Sequence, residues 1–363
     1  MMRVYLDHNA TCPLRPFVAD ALGPLLSGVH GNPSSIHREG RAARALVEQA
    51  RRAVRDALGV RRGTVVFTGS ATEANHLAVD ACAGRVALAT TQTEHPSLRE
   101  VLTRRARGGA HVTWMSVDGS GHVTEEALIS AADAGSGIFL TLANNELGTI
   151  LDVAQIAAAC EARGVWLHLD AAQWFGRWRL ALPSGVSSVT VSAHKAGGLA
   201  GVGALWIDPV ERLAPLLVGG SQERGRRAGT ENLLGIASLA TVAGAPETDA
   251  WTAAAAARDE VERGLADAGW VTVGAERERM TNTSCVARAG RSAEELVMAL
   301  DLAGIAVSAG AACTAGSIET SPVLRAIGVD ERTARGAIRL SFGPWSTAVE
   351  PLEILDRILR ATA

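Results

Sequence analysis

VWLHLDAAQ, residues 165–173, is a short apolar run that stops at a carboxylate, Asp170, and then a string of small residues. A run of this length with polar ends reads as a strand buried on both faces. The pattern recurs in TVVFT (64–68), RVALAT (85–90), IFLTLA (138–143), VTVSA (189–193) and GALWID (203–208). Between these runs lie segments of helical spacing, starting near Thr72 and Pro96 and covering 152–163. Strands that alternate with helices predict an α/β protein whose largely parallel sheet is covered on both sides.

The flanks complete the outline. In SSIHREGRAARALVEQARRAVRDALG (34–59), Ile36, Ala43, Leu46, Val47, Ala50, Val54 and Leu58 fall at helical intervals. Serines able to cap open that helix and Gly59 closes it. From about 250 the character changes to an Ala-rich helix (251–268), a strand-like stretch (282–288), a helix (293–303) and a last helix from Val349. We therefore expect a large domain over 15–250. A smaller α+β domain would combine 1–14 with 251–363.

At 363 residues with a net charge of −3, the chain has no electrostatic case for nucleic acid or a membrane surface. Its arginines between 38 and 62 are interleaved with Glu39, Glu48 and Asp56, as on a solvated helix face. No stretch approaches the roughly 18 apolar residues of a membrane span. The five cysteines are odd in number, scattered and never in CxxC spacing, which argues against a disulfide framework and against a zinc site. A reducing cytoplasm is the expected home.

In open parallel sheets, ligands sit beyond the carboxyl ends of the strands. Those ends read TGSATE (68–73), TEHPS (93–97), ANNELG (143–148), LDAAQ (169–173) and SAHK (192–195). TGSATE passes from strand to helix, which presents backbone N–H groups to an anion, with the Thr72 hydroxyl beside them; an ordinary helix cap reads the same way. Neither a P-loop nor GxGxxG spacing is present. Asp170 is expected to face a cation or protonated heterocycle, or else to cap the next helix. Lys195, in SAHKAGG (192–198), is either a solvated charge or a reactive amine. A lysine for a Schiff base, a carboxylate for a pyridinium nitrogen and a phosphate cup together suit pyridoxal phosphate.

Cys313 lies in VSAGAACTAGSIETSP (307–322), a segment of small residues placed for nucleophilic chemistry, and Ser321-Pro322 marks the helix start beyond it. Cys12, Cys82, Cys160 and Cys285 read as small inert hydrophobes. Arg339, in AIRLSFG (337–343), is either an exposed strand charge or a bidentate grip on a substrate carboxylate.

YLDHNAT (5–11), GNPSSIH (31–37), FTGSATEAN (67–75), EHPS (94–97), ANNELG, HLDAAQ (168–173), SAHK, GGSQERGRRAGTEN (219–232), GIAVSAGAACTAGS (304–317) and IRLSFG (338–343) come in an order that resembles the cysteine desulfurases of the aminotransferase class V family. The wording of the Cys313 loop resembles their nitrogen-fixation and iron–sulfur-assembly group. The resemblance implies a pyridoxal phosphate fold of type I, with a mainly parallel seven-stranded sheet in the large domain. It also implies a homodimer that converts L-cysteine to L-alanine and passes sulfur to a protein acceptor.

The resemblance further assigns roles. Lys195 would hold the cofactor as an internal aldimine and move the α-proton, and Asp170 would pair with the pyridine N–H. Gln173 and Asn145 would meet the phenolic oxygen or the substrate. His95 would stack on the ring. Ala71, Thr72, Ser192 and His194 would hold the phosphate, with Thr230 reaching in from the partner subunit. Arg339 would bind the substrate carboxylate with Asn32 nearby, and Cys313 would take the sulfur as a persulfide. Departures from the family pattern include Gly69-Ser70 in the phosphate turn, a glycine-rich stretch after Lys195 without Pro-Lys, Cys12 and Pro344. Two other readings are an aminotransferase or a related lyase with Cys313 incidental, and a non-enzymatic sulfur-carrier partner.

Overall fold

The computed structural model describes residues 2–28, 31–82, 84, 87–246, 248–310, 320–344 and 348–363. The chain starts with β1 (Val4–Tyr5), α1 (Pro16–Gly28) and α2 (Arg38–Ala57). Strands and helices then alternate through β2 (Thr64–Thr68), α3 (Ala71–Asp80), β3 (Ala87–Thr90), α4 (Pro96–Arg107), β4 (His111–Trp114), α5 (Glu125–Asp133), β5 (Gly137–Thr141), α6 (Val153–Glu161) and β6 (Leu167–Asp170). β7 (Ser188–Ser192) and β8 (Gly203–Ile207) follow, and α7 (Leu233–Gly244) and α8 (Thr248–Asp267) lead out. The remainder comprises β9 (Val271–Val273), β10 (Thr283–Ala287), α9 (Ala293–Leu302), β11 (Ile305–Ala306), β12 (Ser308–Ala309), α10 (Pro322–Ala326), α11 (Glu331–Ala334), β13 (Ala337–Ser341) and α12 (Pro351–Ala361).

Seven strands form one sheet in the order β2-β8-β7-β6-β5-β3-β4. All neighbours are parallel except that β8 runs antiparallel to both β7 and β2. Because side chains alternate along a strand, β2, β3, β5 and β8 each feed two cores. Val65, Phe67, Ile138, Leu140, Ala204 and Trp206 enter one core, whereas Val66, Phe139, Leu205 and Ile207 enter the other with Leu77 and Leu98 of the helices. Burial on both faces explains why the runs are continuously apolar.

A second, antiparallel sheet has the order β12-β13-β10-β9, and β1 pairs in parallel with β11. Val4 and Leu6 pack with Val261, Leu296, Ile338 and Ile354, so the first residues join the core built by the last hundred or so. Asp7 bridges to Ser341.

The structure departs from the sequence reading in four places. HVTW (111–114) is a strand at the sheet edge; its half-exposed residues break the apolar run that marked the others. β8 reverses direction, which no local pattern encodes. The cap of α2 is His37, whose Nδ1 accepts from Gly40 N at 3.3 Å, in place of the serines before it. β13 is buried along its whole length, so Arg339 is not an exposed strand charge.

Candidate active site

The carboxyl ends of the parallel strands converge on residues 7–11 of the N-terminal segment. Lys195 sits in a 3-10 turn, His194–Ala196, directly after β7. Gly197 ends that turn at φ 83°, where a Cβ would come within 2.4 Å of Arg15 Cγ, so only glycine fits. Lys195 Nζ donates to Asn9 O at 2.6 Å and Ala10 O at 2.9 Å. Gln173 Nε2 donates to the same Asn9 oxygen at 3.0 Å, and His194 Nδ1 lies 3.1 Å from Thr11 Oγ1.

Beneath Lys195 lies Arg177, fully buried. It donates to Lys195 O (2.7 Å), Asn9 Oδ1 (2.9 Å) and His8 O (2.8 Å) and stacks on Trp251 with 4.6 Å to the ring centroid. Burial drives its pKa down to about 10. Burial together with the Lys195 and Arg177 charges lowers His194 to about 4, so His194 acts as a neutral hydrogen-bonding group near neutral pH.

Asp170, at the end of β6, is buried and accepts from Asn75 Nδ2 (2.7 Å) and from Ala172 N (2.9 Å). Among the described residues no basic side chain forms an ion pair with it, so lone pairs remain on a buried carboxylate. Among the described residues, the chain itself thus supplies no cation or protonated heterocycle of the kind expected opposite Asp170. His95 caps α4, accepting from Ser97 N at 3.1 Å. Burial lowers its pKa; Asp170 opposes that shift, while Lys195, Arg99 and Arg339 reinforce it. Lys195, Asp170, His95 and Arg339 thus share one electrostatic neighbourhood.

At the start of α3, Ser70 Oγ caps Glu73 N at 3.1 Å, and the first intrahelical bond runs from Ala74 N to Ser70 O. The amides of Ala71 and Thr72 stay outside the helical ladder, as an anion cup requires. Gly203 of β8 lets this turn approach closely: a Cβ there would stand 2.7 Å from Ala71 N. Ser192 on β7, the register partner of Gly203, is buried, and Thr72 is exposed.

Arg339 is 1% exposed and donates to Asp7 Oδ1 (2.7 Å) and Asn145 O (3.0 Å). Its Nε–H, like Gln173 Oε1, has no partner among the described residues, which leaves both able to meet a ligand. Asn145 contributes its main-chain oxygen here, which also accepts from Asn9 Nδ2 at 3.2 Å. Asn32 and Thr230 are exposed, and Asn32 Oδ1 accepts from its neighbour Ser34 N at 2.9 Å. Among the described residues, no hydrogen bond joins either to the other expected site residues. Cys313 lies outside the described residues.

Sequence reasoning assigned no role to Asp7, Asn9, Asn75, Ser97 or Arg177. The signal for Asp7 and Asn9 was DHNAT, a polar run directly after a buried strand; the other three gave none. The set offers an amine, an acceptor for a ring N–H, and a helix terminus for a phosphate, which fits pyridoxal phosphate.

Residues 4–352 match the family model described as aminotransferase class-V. A cysteine desulfurase from Cereibacter sphaeroides is 39% identical over 99% of this chain and 94% of its own. The solved structure of a NifS-like protein superposes with a TM-score of 0.92 at 30% identity, covering 99% of each chain. SspA, solved in complex with cysteine, gives a TM-score of 0.82 at 27% identity over 94% of this chain and 99% of its own.

Proposed function

The chain belongs to the aminotransferase class-V family, and from that premise we infer that it is a pyridoxal-phosphate-dependent cysteine desulfurase acting on L-cysteine. The observation that carries this reading is that Lys195, Asp170 and His95 share one electrostatic neighbourhood, with Lys195 on the Asn9 and Ala10 carbonyls and a buried Asp170 carboxylate that meets no basic side chain in an ion pair among the described residues. When bound, pyridoxal phosphate supplies an electron sink for the bonds at the substrate's α-carbon.

The residues divide the work as follows. Lys195 Nζ would hold the cofactor and move the substrate's α-proton. Asp170 would accept from the pyridine N–H, and Gln173 and Asn145 would meet the phenolic oxygen or the substrate. His95 would stack on the ring and assist proton transfer. Ala71, Thr72, Ser192 and His194 would hold the phosphate. In a homodimer, Thr230 of one copy completes the phosphate site of the other, which accounts for its exposure in the single chain. Arg339 would take the substrate carboxylate, using the Nε–H that has no partner among the described residues, with Asn32 alongside. The Cys313 thiolate attacks the substrate sulfur; the carbon–sulfur bond breaks, the sulfur stays on Cys313 as a persulfide, and the carbon gains a proton and leaves in alanine. The persulfide then passes to a protein acceptor for iron–sulfur cluster or other sulfur-cofactor assembly.

The test is product analysis with L-cysteine and a reductant. Alanine and sulfide in equal amounts are expected, with both lost in Lys195→Ala. Formation of a keto acid in place of alanine would identify an aminotransferase and overturn the assignment.

A further inference from the structure

Asn75, on the second turn of α3, is fully buried at the meeting point of three functional elements. Its Nδ2 lies 2.7 Å from Asp170 Oδ2 and 2.8 Å from Ser97 Oγ, and its Oδ1 lies 3.1 Å from His168 Nε2. An ionised carboxylate only accepts, so the amide nitrogen must face Asp170 and the amide oxygen must face His168. His168 therefore carries its proton on Nε2, and its Nδ1 accepts from Ser188 Oγ at 2.8 Å. Burial keeps His168 neutral, with a pKa pushed down to about 3.

The second Nδ2 hydrogen goes to Ser97 Oγ, which leaves the hydroxyl proton of Ser97 for His95 Nδ1, 2.8 Å away. Ser97 N approaches the same ring nitrogen at 3.1 Å. Two donors on Nδ1 leave that nitrogen without a proton of its own. The charged groups that face His95 are Asp170, Lys195, Arg99 and Arg339.

Resting on the cofactor reading above, we propose that Asn75 is a positioning residue: it ties the Asp170 carboxylate to the His95 imidazole through Ser97 and holds His95 in the neutral tautomer with its proton on Nε2. One amide thereby fixes the orientation of the ring-nitrogen acceptor and the protonation pattern of the ring-face histidine. Neither Asp170 nor His95 needs to touch the other for the two to be coupled.

The experiment uses full-length protein labelled with 15N at its histidine rings, with and without pyridoxal phosphate. The His95 resonances are assigned through His95→Gln. The wild-type protein is expected to show an unprotonated Nδ1 and a protonated Nε2 at His95. Ser97→Ala removes the hydroxyl bridge between Asn75 and His95 and keeps the Ser97 N–H on Nδ1: the second tautomer should gain population over wild type, with cofactor affinity falling less than in Asn75→Ala. Asn75→Ala should relax the tautomer and also weaken cofactor affinity by about tenfold, the value of one hydrogen bond to a charged group. A wild-type His95 protonated on Nδ1 would overturn the proposal, as would wild-type tautomer and affinity in both variants. If Asn75→Ala fails to fold, Ser97→Ala decides, since it deletes one hydroxyl; a wild-type His95 tautomer in that variant defeats the proposal. Wild-type protein that binds no pyridoxal phosphate instead defeats the cofactor reading, while the ring-nitrogen shifts still score the network.

Discussion

Glu146 and Glu94 are fully desolvated carboxyls, and burial raises each to about 7. Ser321 Oγ donates to Glu146 at 2.6 Å, and Thr91 and Thr141 hydroxyls donate to Glu94 at 2.8 and 2.5 Å. A carboxyl whose folded pKa is raised binds its proton more tightly folded than unfolded. Its contribution is therefore intact below about 4.5 and is lost as pH rises through about 7. His8, His168 and His194, lowered to about 4, 3 and 4, act in the opposite sense: their contribution is present above about 6.5 and is lost as pH falls toward those values. Glu146→Gln keeps an acceptor for Ser321 and removes the titration. Denaturant unfolding should find the variant gaining on the wild type between pH 5 and pH 8, by on the order of 3 kcal/mol. A pH-independent difference would show that Glu146 does not titrate in this range. None of this was legible in ANNELG, because the cost of a carboxyl depends on the shell around it, and that shell comes from Ser321 and from residues distant in sequence.

At the scale of elements, the strand ends were legible because burial on both faces writes a continuous apolar run. β2 matched its run residue for residue, and Asp170 and Lys195 fell where the strand ends placed them. β4 was not legible, since an edge strand with half-exposed side chains loses that signature. The α3 terminus shows how one element shapes another. Gly203 of β8 leaves space for the main chain of Ser70 and Ala71, and a Cβ would lie 2.6 Å from Ser70 C. Gly203→Ala should push the α3 turn away from the sheet and weaken pyridoxal phosphate binding by at least about tenfold, read from cofactor absorbance on titration. Unchanged affinity with a lowered Tm would mean that the turn is structural only.

For the molecule as a whole, the N-terminal segment is the clasp between the two sheets. Asp7 receives Arg339 Nη2 at 2.7 Å and Ser308 Oγ at 2.8 Å, while Asn9 bonds residues from both sides of the site. Removing one partner of a buried ion pair strands the other charge, so Asp7→Asn should cost about 3 kcal/mol of stability. Adding Arg339→Met to that variant should recover part of the loss in a double-mutant cycle. Strict additivity would show that the pair is not coupled. The sequence indicated that residues 1–14 belong with the C-terminal part, but long-range pairing hid what they do there: they receive Lys195, Gln173, Arg177 and Arg339.

In the proposed reaction, sulfur from L-cysteine is carried on Cys313. Cys12, Cys82, Cys160 and Cys285 are buried, and burial holds the Cys160 and Cys285 thiols up at about 11 and 12, far from the reactive thiolate form. The direct measurement is mass spectrometry of the protein after reaction with L-cysteine without reductant. One added sulfur atom is expected on the peptide that contains Cys313, with no addition in Cys313→Ser. An added sulfur on any other cysteine, or alanine formation at the wild-type rate by Cys313→Ser, would contradict the proposed reaction.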